Sequence, residues 1–304
     1  MALFGNTALW VALGAAVLSS FAYRSACRGR GVGASRGRGL FALSTVAVLM
    51  SSAALLHAFV AGRYELAYVA DYSSRSLPLL YRVSAFWAGQ EGSFLLWALL
   101  GGAMGVVLSW KGGEWEPHLM GLFGAVQAFL LLLLVAKSPF RLASQPLADG
   151  HGLNPLLQDP WMAIHPPLIF LGYAALAVPF VFAVAALLRR EYHDWAARAL
   201  PWSLFSWTTL GAGIFIGGYW AYRVLGWGGY WGWDPVENAS LIPWLLNTAL
   251  LHGILLQRAR GSLARGNLAL AILSFVMVLY GTFLTRSGVL SDFSVHSFAR
   301  PGMA

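Results

Sequence analysis

Charge is scarce in this sequence. Only 11% of its 304 residues are Asp, Glu, Lys or Arg, against about 25% in an ordinary soluble domain. With 58% hydrophobic residues and a mean hydropathy of +0.64, that deficit excludes a soluble fold of this size. Cysteine is scarcer still. Cys27 stands alone, in an Arg-rich loop, so an internal disulfide and a cysteine-based metal centre are excluded. A phosphate loop, an HExxH helix, a Ser–His–Asp signature and a CxxCH motif are all missing. The usual tools of hydrolysis and nucleotide use are therefore absent, which leaves ligand placement and electrostatics as means of action.

What is present is a series of apolar runs, each long enough to cross about 30 Å of hydrocarbon. Eight spans are expected, roughly at 3–23, 40–61, 93–110, 118–136, 163–188, 201–224, 239–257 and 267–286. The fold class is an all-α polytopic integral membrane helix bundle of about eight transmembrane helices, a single transmembrane domain over 1–304. The first run has no basic segment before it and reads as a retained span, not a cleaved signal peptide. The net charge of +8 comes from 20 basic and 12 acidic residues. Loops 24–39, 111–117, 189–200 and 257–266 carry 12 of the 20 basic residues, including Arg28–Gly39, which reads as a flexible basic loop. That asymmetry is what orientation in a bilayer requires, so nucleic acid is not a partner and these loops face the cytoplasm. Both termini then lie outside, as do segments 62–92, 137–162, 225–238 and 287–304. These outer segments are rich in aromatics, Pro and Gly, and function is sought there.

The densest outer signal is Trp227-Gly-Gly-Tyr230-Trp231-Gly-Trp233-Asp234-Pro235-Val236-Glu237-Asn238, within a segment spanning 225–244. Glycines let a backbone approach a flat ligand closely, and aromatic faces offer stacking area to a planar macrocycle. An aromatic belt at the membrane interface is the other account, and composition by itself favours it. Asp234 at the N-cap, Pro235 at N1 and Glu237 at N3 spell a capping box, which assigns Asp234 and Glu237 to orienting the next helix.

Three of the seven histidines stand out. His165 lies at the outer mouth of the fifth span, where Pro166 and Pro167 suit a first helical turn. His296 follows the eighth span. An even number of spans separates the two, so topology puts both on the outer side and permits axial ligation of one heme iron from opposite faces. For each, taken singly, a satisfied polar residue is the favoured account. His252 lies inside the seventh span, where an ionisable group is costly and functional by default. It is a candidate iron ligand or a histidine bonded to a neighbouring helix. The outer arginines Arg75, Arg82, Arg223 and Arg286 suit carboxylate partners such as heme propionates, or snorkel to lipid phosphate. No residue is an evident catalytic base.

Together these stretches resemble the heme-handling WWD family, and within it the CcmF type of cytochrome c heme lyase. Trp227–Ser240 resembles the WWD segment. Ala85–Trp97, Gly152–Pro160 with His165-Pro-Pro, Ala249–His252 and Gly281–Leu290 leading to His296 point to the CcmF type. The resemblance implies an outer-face platform in which Trp227, Tyr230, Trp231 and Trp233 hold substrate heme, with His165 and His296 on its iron and Arg286 nearby. It implies that His252 ligates a resident, membrane-buried heme b, whose second ligand lies in a C-terminal half that this chain lacks. Implied partners are the heme chaperone CcmE, a CcmH-type subunit that presents apocytochrome c, the apocytochrome itself and a quinol. The implied activity is cytochrome c maturation at a bacterial inner membrane: thioether attachment of heme to a CxxCH motif. A heme carrier or exporter without bond formation, the related lyase subunit serving a nitrite-reductase cytochrome, and a transporter of a non-heme solute are the competing functions.

Overall fold

The computed structural model describes residues 1–29, 33–145, 147–226, 229–287 and 289. Among these, three single-turn 3-10 helices (Ala85–Trp87, Gly113–Trp115 and Pro155–Leu157) accompany ten α-helices: α1 (Ala2–Cys27), α2 (Gly33–Val60), α3 (Ala67–Tyr72), α4 (Leu79–Ser84), α5 (Gln90–Lys111), α6 (Glu116–Ala136), α7 (Pro160–Arg189), α8 (Asp194–Val224), α9 (Pro235–Arg260) and α10 (Ala264–Arg286). Extended pairing among the described residues is confined to an isolated antiparallel bridge between Leu66 and Leu142. Eight helices, all but α3 and α4, are long and apolar enough to cross a membrane. They run from 21 to 31 residues, or roughly 32 to 46 Å at 1.5 Å per residue. Leu3, Trp10, Phe21, Leu188 and Phe215 point outward from these helices. Such outward apolar side chains suit a lipid solvent, in which helices satisfy their own backbone polar groups. The chain is a multi-pass membrane protein.

Two compact units divide the chain, Met1–Gln158 and Asp159–Ala304. In the first, α1 packs on α2 and α6, and α5 packs on the same two helices. The resulting four-helix ring is braced at one end by Glu116. This carboxylate is buried, and its two oxygens accept from Arg38 Nε at 2.6 Å and Arg38 Nη2 at 2.5 Å. Tyr23 Oη donates to it as well, at 2.9 Å. The fork of the guanidinium matches both carboxylate oxygens, the strong form of such a pair. Here the expected flexible loop is corrected: α2 already begins at Gly33, and Arg36 and Arg38 belong to it. Burial of Glu116 fixes the segment that supplies its counter-charge.

At the other end of this unit, segment 137–154 is bonded onto 62–75. Ala67 N donates to Arg141 O, Ala143 N to Glu65 O, His151 N to Ala70 O and Gly152 N to Ser73 O. Asp149 Oδ1 accepts from Arg75 N at 2.8 Å, and that bond holds its carboxyl below the usual carboxylate range. Arg82 turns inward to carbonyls, donating from Nε to Leu77 O at 2.8 Å and from Nη2 to Arg75 O at 2.5 Å. It braces this loop.

The second unit is again a ring, with α7 and α9 each packed on both α8 and α10. Its helices begin earlier than their apolar runs. Asp159 caps α7, accepting from Trp161 N at 2.8 Å, with Pro160 at N1. Pro166 and Pro167 therefore sit inside the helix and not in its first turn, where each removes a backbone donor from the ladder. At α9 the predicted capping box is present. Asp234 Oδ1 accepts from Val236 N at 2.7 Å, and Glu237 Oε2 accepts from Asp234 N at 3.3 Å.

Candidate functional site

The α8–α9 connection holds the aromatic segment. Glu237 reaches back beyond its own cap: Oε2 also accepts from Gly232 N at 2.9 Å. Asn238 Nδ2 donates to Trp233 O at 3.2 Å. The first turn of α9 thus ties down the loop before it. Trp233 takes φ +56, a left-handed conformation that a bulky residue rarely adopts and that marks sites where strain serves a purpose. Its indole is 73% exposed and meets Trp231 edge-on, with ring centroids 6.4 Å apart. Tyr230 stacks on Tyr222 of α8 at 4.5 Å and 8°. Trp227 lies outside the described residues.

Helix α8 is the floor under this loop. A Cβ at Gly218 would stand 3.0 Å from Tyr230 O, and a Cβ at Gly217 would stand 2.5 Å from His165 Cε1. The two neighbouring glycines therefore admit the loop and the histidine onto one stretch of helix. His165 Nδ1 lies 2.7 Å from Gly213 O. A carbonyl only accepts, so Nδ1 carries a proton in this bond; in the neutral tautomer the lone pair then lies on Nε2, the arrangement of an oriented ligand imidazole. Around it, Trp161 meets Tyr219 edge-on at 5.1 Å. Arg223 lies over the same Tyr219 ring at 5.9 Å and reaches Asp159 Oδ2 at 3.8 Å. The α7 cap residue thereby gains a cation from α8. Arg286, at the end of α10, packs its guanidinium 5.5 Å from the Phe170 ring centre.

His252 lies elsewhere. It is 17 positions along α9 from Pro235, about 26 Å at 1.5 Å per residue. Its ring is exposed on the chain's surface, not enclosed by the bundle, and Nδ1 lies 2.8 Å from Thr248 O, one turn earlier on the same helix. The lone pair again falls on Nε2. Thr248 Oγ1 accepts from Trp207 Nε1 at 2.8 Å, and Trp207 stacks on Trp244 at 5.4 Å. His296 lies outside the described residues.

The arrangement therefore brings together His165, Tyr230, Trp231 and Trp233 on α8, and sets His252 apart. A flat ligand with acceptor groups suits the first group. Tyr230 and Trp233 are more than half exposed, and the Trp231 indole N–H is buried with no hydrogen-bond partner among the described residues. Sequence reasoning missed Gly213, Gly217 and Gly218, which read as part of an apolar run. It also missed Tyr219 and Tyr222. The spacing Gly213-x-x-x-Gly217 was the available signal, since small residues four apart let another group approach a membrane helix closely. Among the described residues, no group of three or more His, Cys, Asp or Glu could hold a bare metal ion.

Comparison with known proteins bears on the fold and the family. The chain is 45% identical over 252 residues to the cytochrome c-type biogenesis protein CcmF of Pseudomonas aeruginosa, covering 81% of this chain and 38% of that one. It is 43% identical over 307 residues to CcmF of Escherichia coli, covering 97% and 46%. A solved structure of the cytochrome c heme lyase CcmF superposes with a TM-score of 0.83 at 36% identity, over 96% of this chain and 48% of that one. The chain thus spans about half the length of the relatives it matches or less. The model of the cytochrome C assembly protein family matches residues 87–290, two-thirds of the sequence and all of the loop just described, and the chain belongs to that family.

Proposed function

We propose that this chain handles heme for cytochrome c maturation, binding it at the outer face of a bacterial inner membrane and taking part in its thioether attachment to the CxxCH motif of an apocytochrome c. One observation carries the reading: His165, with its proton fixed on Nδ1 by Gly213 O, stands beside the exposed aromatic loop on the same glycine floor of α8. Substrate heme would lie against Tyr230, Trp231 and Trp233, with Trp227 completing the row. His165 and His296 would take its iron, and Trp231 Nε1 and the Arg286 guanidinium would face its carboxylates. Held so, the vinyl edge meets thiols by proximity and orientation. A CcmH-type subunit would present the apocytochrome, and the chaperone CcmE would deliver the heme.

His252 suits a second role. A resident heme b, ligated by His252 and by a histidine outside this chain, would supply one-electron chemistry from quinol that keeps the substrate iron ferrous. The fit rests on the outward-facing imidazole whose Nδ1–H is held by Thr248 O, leaving Nε2 for a metal. Both termini of the chain would lie on the periplasmic side.

The test is a chimera. This chain replaces the matching segment of E. coli CcmF in cells lacking their own copy, and covalent heme on a reporter cytochrome c is measured. Restored thioether heme, lost again in His165→Ala, is the expected result. A membrane-inserted, heme-bound chimera that yields no covalent cytochrome would instead favour a carrier without bond formation.

A further inference from the structure

Between α8 and α9 the second unit encloses polar side chains that the described residues leave unsatisfied. Ser203 of α8 and Asn247 of α9 are both 0% exposed. A bond joins these two residues: Asn247 Nδ2 donates to Ser203 O at 3.0 Å. It also fixes the amide, because a flipped Asn247 would set Oδ1 against another acceptor. What remains is Asn247 Oδ1, an acceptor, and Ser203 Oγ, a donor and acceptor. Both are buried, and among the described residues neither has a partner. They belong to the two residues that the bond already holds together.

Leaving either group dry carries the full desolvation penalty of a buried polar atom, and a lipid surround offers no substitute partner. A second joint in this unit, between α9 and α10, has a similar remainder. Asn267 Nδ2 donates to Gln257 Oε1 at 2.7 Å, while Asn267 Oδ1 and Trp195 Nε1, an acceptor and a donor, are buried without partners. Enclosed water satisfies them, since it both donates and accepts.

We infer that the Ser203–Asn247 joint is a binding site for an ordered water, which donates to Asn247 Oδ1 and shares a hydrogen bond with Ser203 Oγ. The water makes the α8–α9 contact a three-membered polar joint. It fixes the helix that carries the aromatic loop's cap at one end and His252 five positions past Asn247. This site is independent of the heme reading.

Two measurements on the whole chain in lipid nanodiscs test it. An experimental density map fine enough to show water should hold a peak within about 3.2 Å of both Ser203 Oγ and Asn247 Oδ1. Ser203→Ala keeps the carbonyl that Asn247 grips and removes only the hydroxyl, so it should lower the Tm by roughly 2–4 °C. A joint without a peak, with Oγ turned onto the Ala199 carbonyl of its own helix, would overturn the inference. So would an unchanged or raised Tm, because deleting a dry, unpaired hydroxyl costs nothing.

Discussion

Gly217→Ala is the sharpest probe of the α8 floor. The new methyl would stand 2.5 Å from His165 Cε1 and 2.6 Å from Nδ1, where carbon contacts settle at about 3.5–4.0 Å. The ring must therefore retreat by roughly 1 Å. Retreat along the bond stretches the 2.7 Å contact to Gly213 O past the range of a hydrogen bond. Overpacking costs about 1–3 kcal/mol and the lost bond about 0.5–1.5 kcal/mol, so a total near 2–4 kcal/mol falls on the ring's position. The proposed iron ligand would then be misplaced while remaining in the sequence. In a heme titration of detergent-purified protein, the Soret change that depends on His165 should shrink to the level of His165→Ala, and the His252-dependent part should persist. Gly39→Ala is the control. It lies in α2 with nothing within 4 Å of the added Cβ, and it should leave the spectrum unchanged with stability equal or higher by up to about 1 kcal/mol. Full retention of the His165-dependent signal in a folded Gly217→Ala protein would refute the reasoning.

Other consequences follow from the same geometry. Asp234→Ala removes the α9 cap and should cost about 1 kcal/mol, read as a lower Tm together with faster proteolysis between Tyr230 and Pro235. Arg38→Gln strips Glu116 of its counter-charge. Removing one partner of a buried pair costs about 3–5 kcal/mol, and the half-exposed Arg38 puts the expected loss at or below the lower end of that range. Glu116→Gln in the Arg38→Gln background should recover part of the loss, as denaturation in mild detergent would show. Asp149 is held below the ordinary carboxylate range by Arg75 N, so the stability it contributes is present above that range and is lost as pH falls through its depressed value. Asp149→Asn should make segment 144–152 more easily clipped at neutral pH, and the wild type should loosen there only on acidification.

The eight spans were legible because lipid imposes one rule, a run of apolar residues as long as the hydrocarbon is thick. Their ends were not legible from hydropathy, since α7 and α8 each begin with polar or Pro-containing turns before the apolar run. The Asp234-Pro235 start was read correctly, and the identical Asp159-Pro160 start was passed over. That is why Pro166 and Pro167 were placed in a first turn. Short α3 and α4 left no periodic signal in six residues each. The basic loop at 28–39 misled because a buried Glu116, distant in sequence, decides where Arg38 goes. At the site, the aromatic loop was conspicuous, but its floor was not. Gly217 and Gly218 act by what they omit, and an omission looks like any other small residue in an apolar run. The depth of His252 could be counted along the helix. Its outward face could not, because it depends on which sides of α9 are taken by α8 and α10. Trp227 and His296 lie outside the described residues, so their part in the site stays with the proposal.

The most direct measurement is the dithionite-reduced visible spectrum of the purified chain, drawn from heme-replete cells that co-express the heme chaperone and the remaining half of a relative. His165→Ala, His252→Ala and His296→Ala are measured beside the wild type. The account predicts heme Soret and α bands in the wild type, one component lost in His252→Ala and a separate one lost in both His165→Ala and His296→Ala. A colourless wild type under these conditions, or bands untouched by any of the three substitutions, would contradict it.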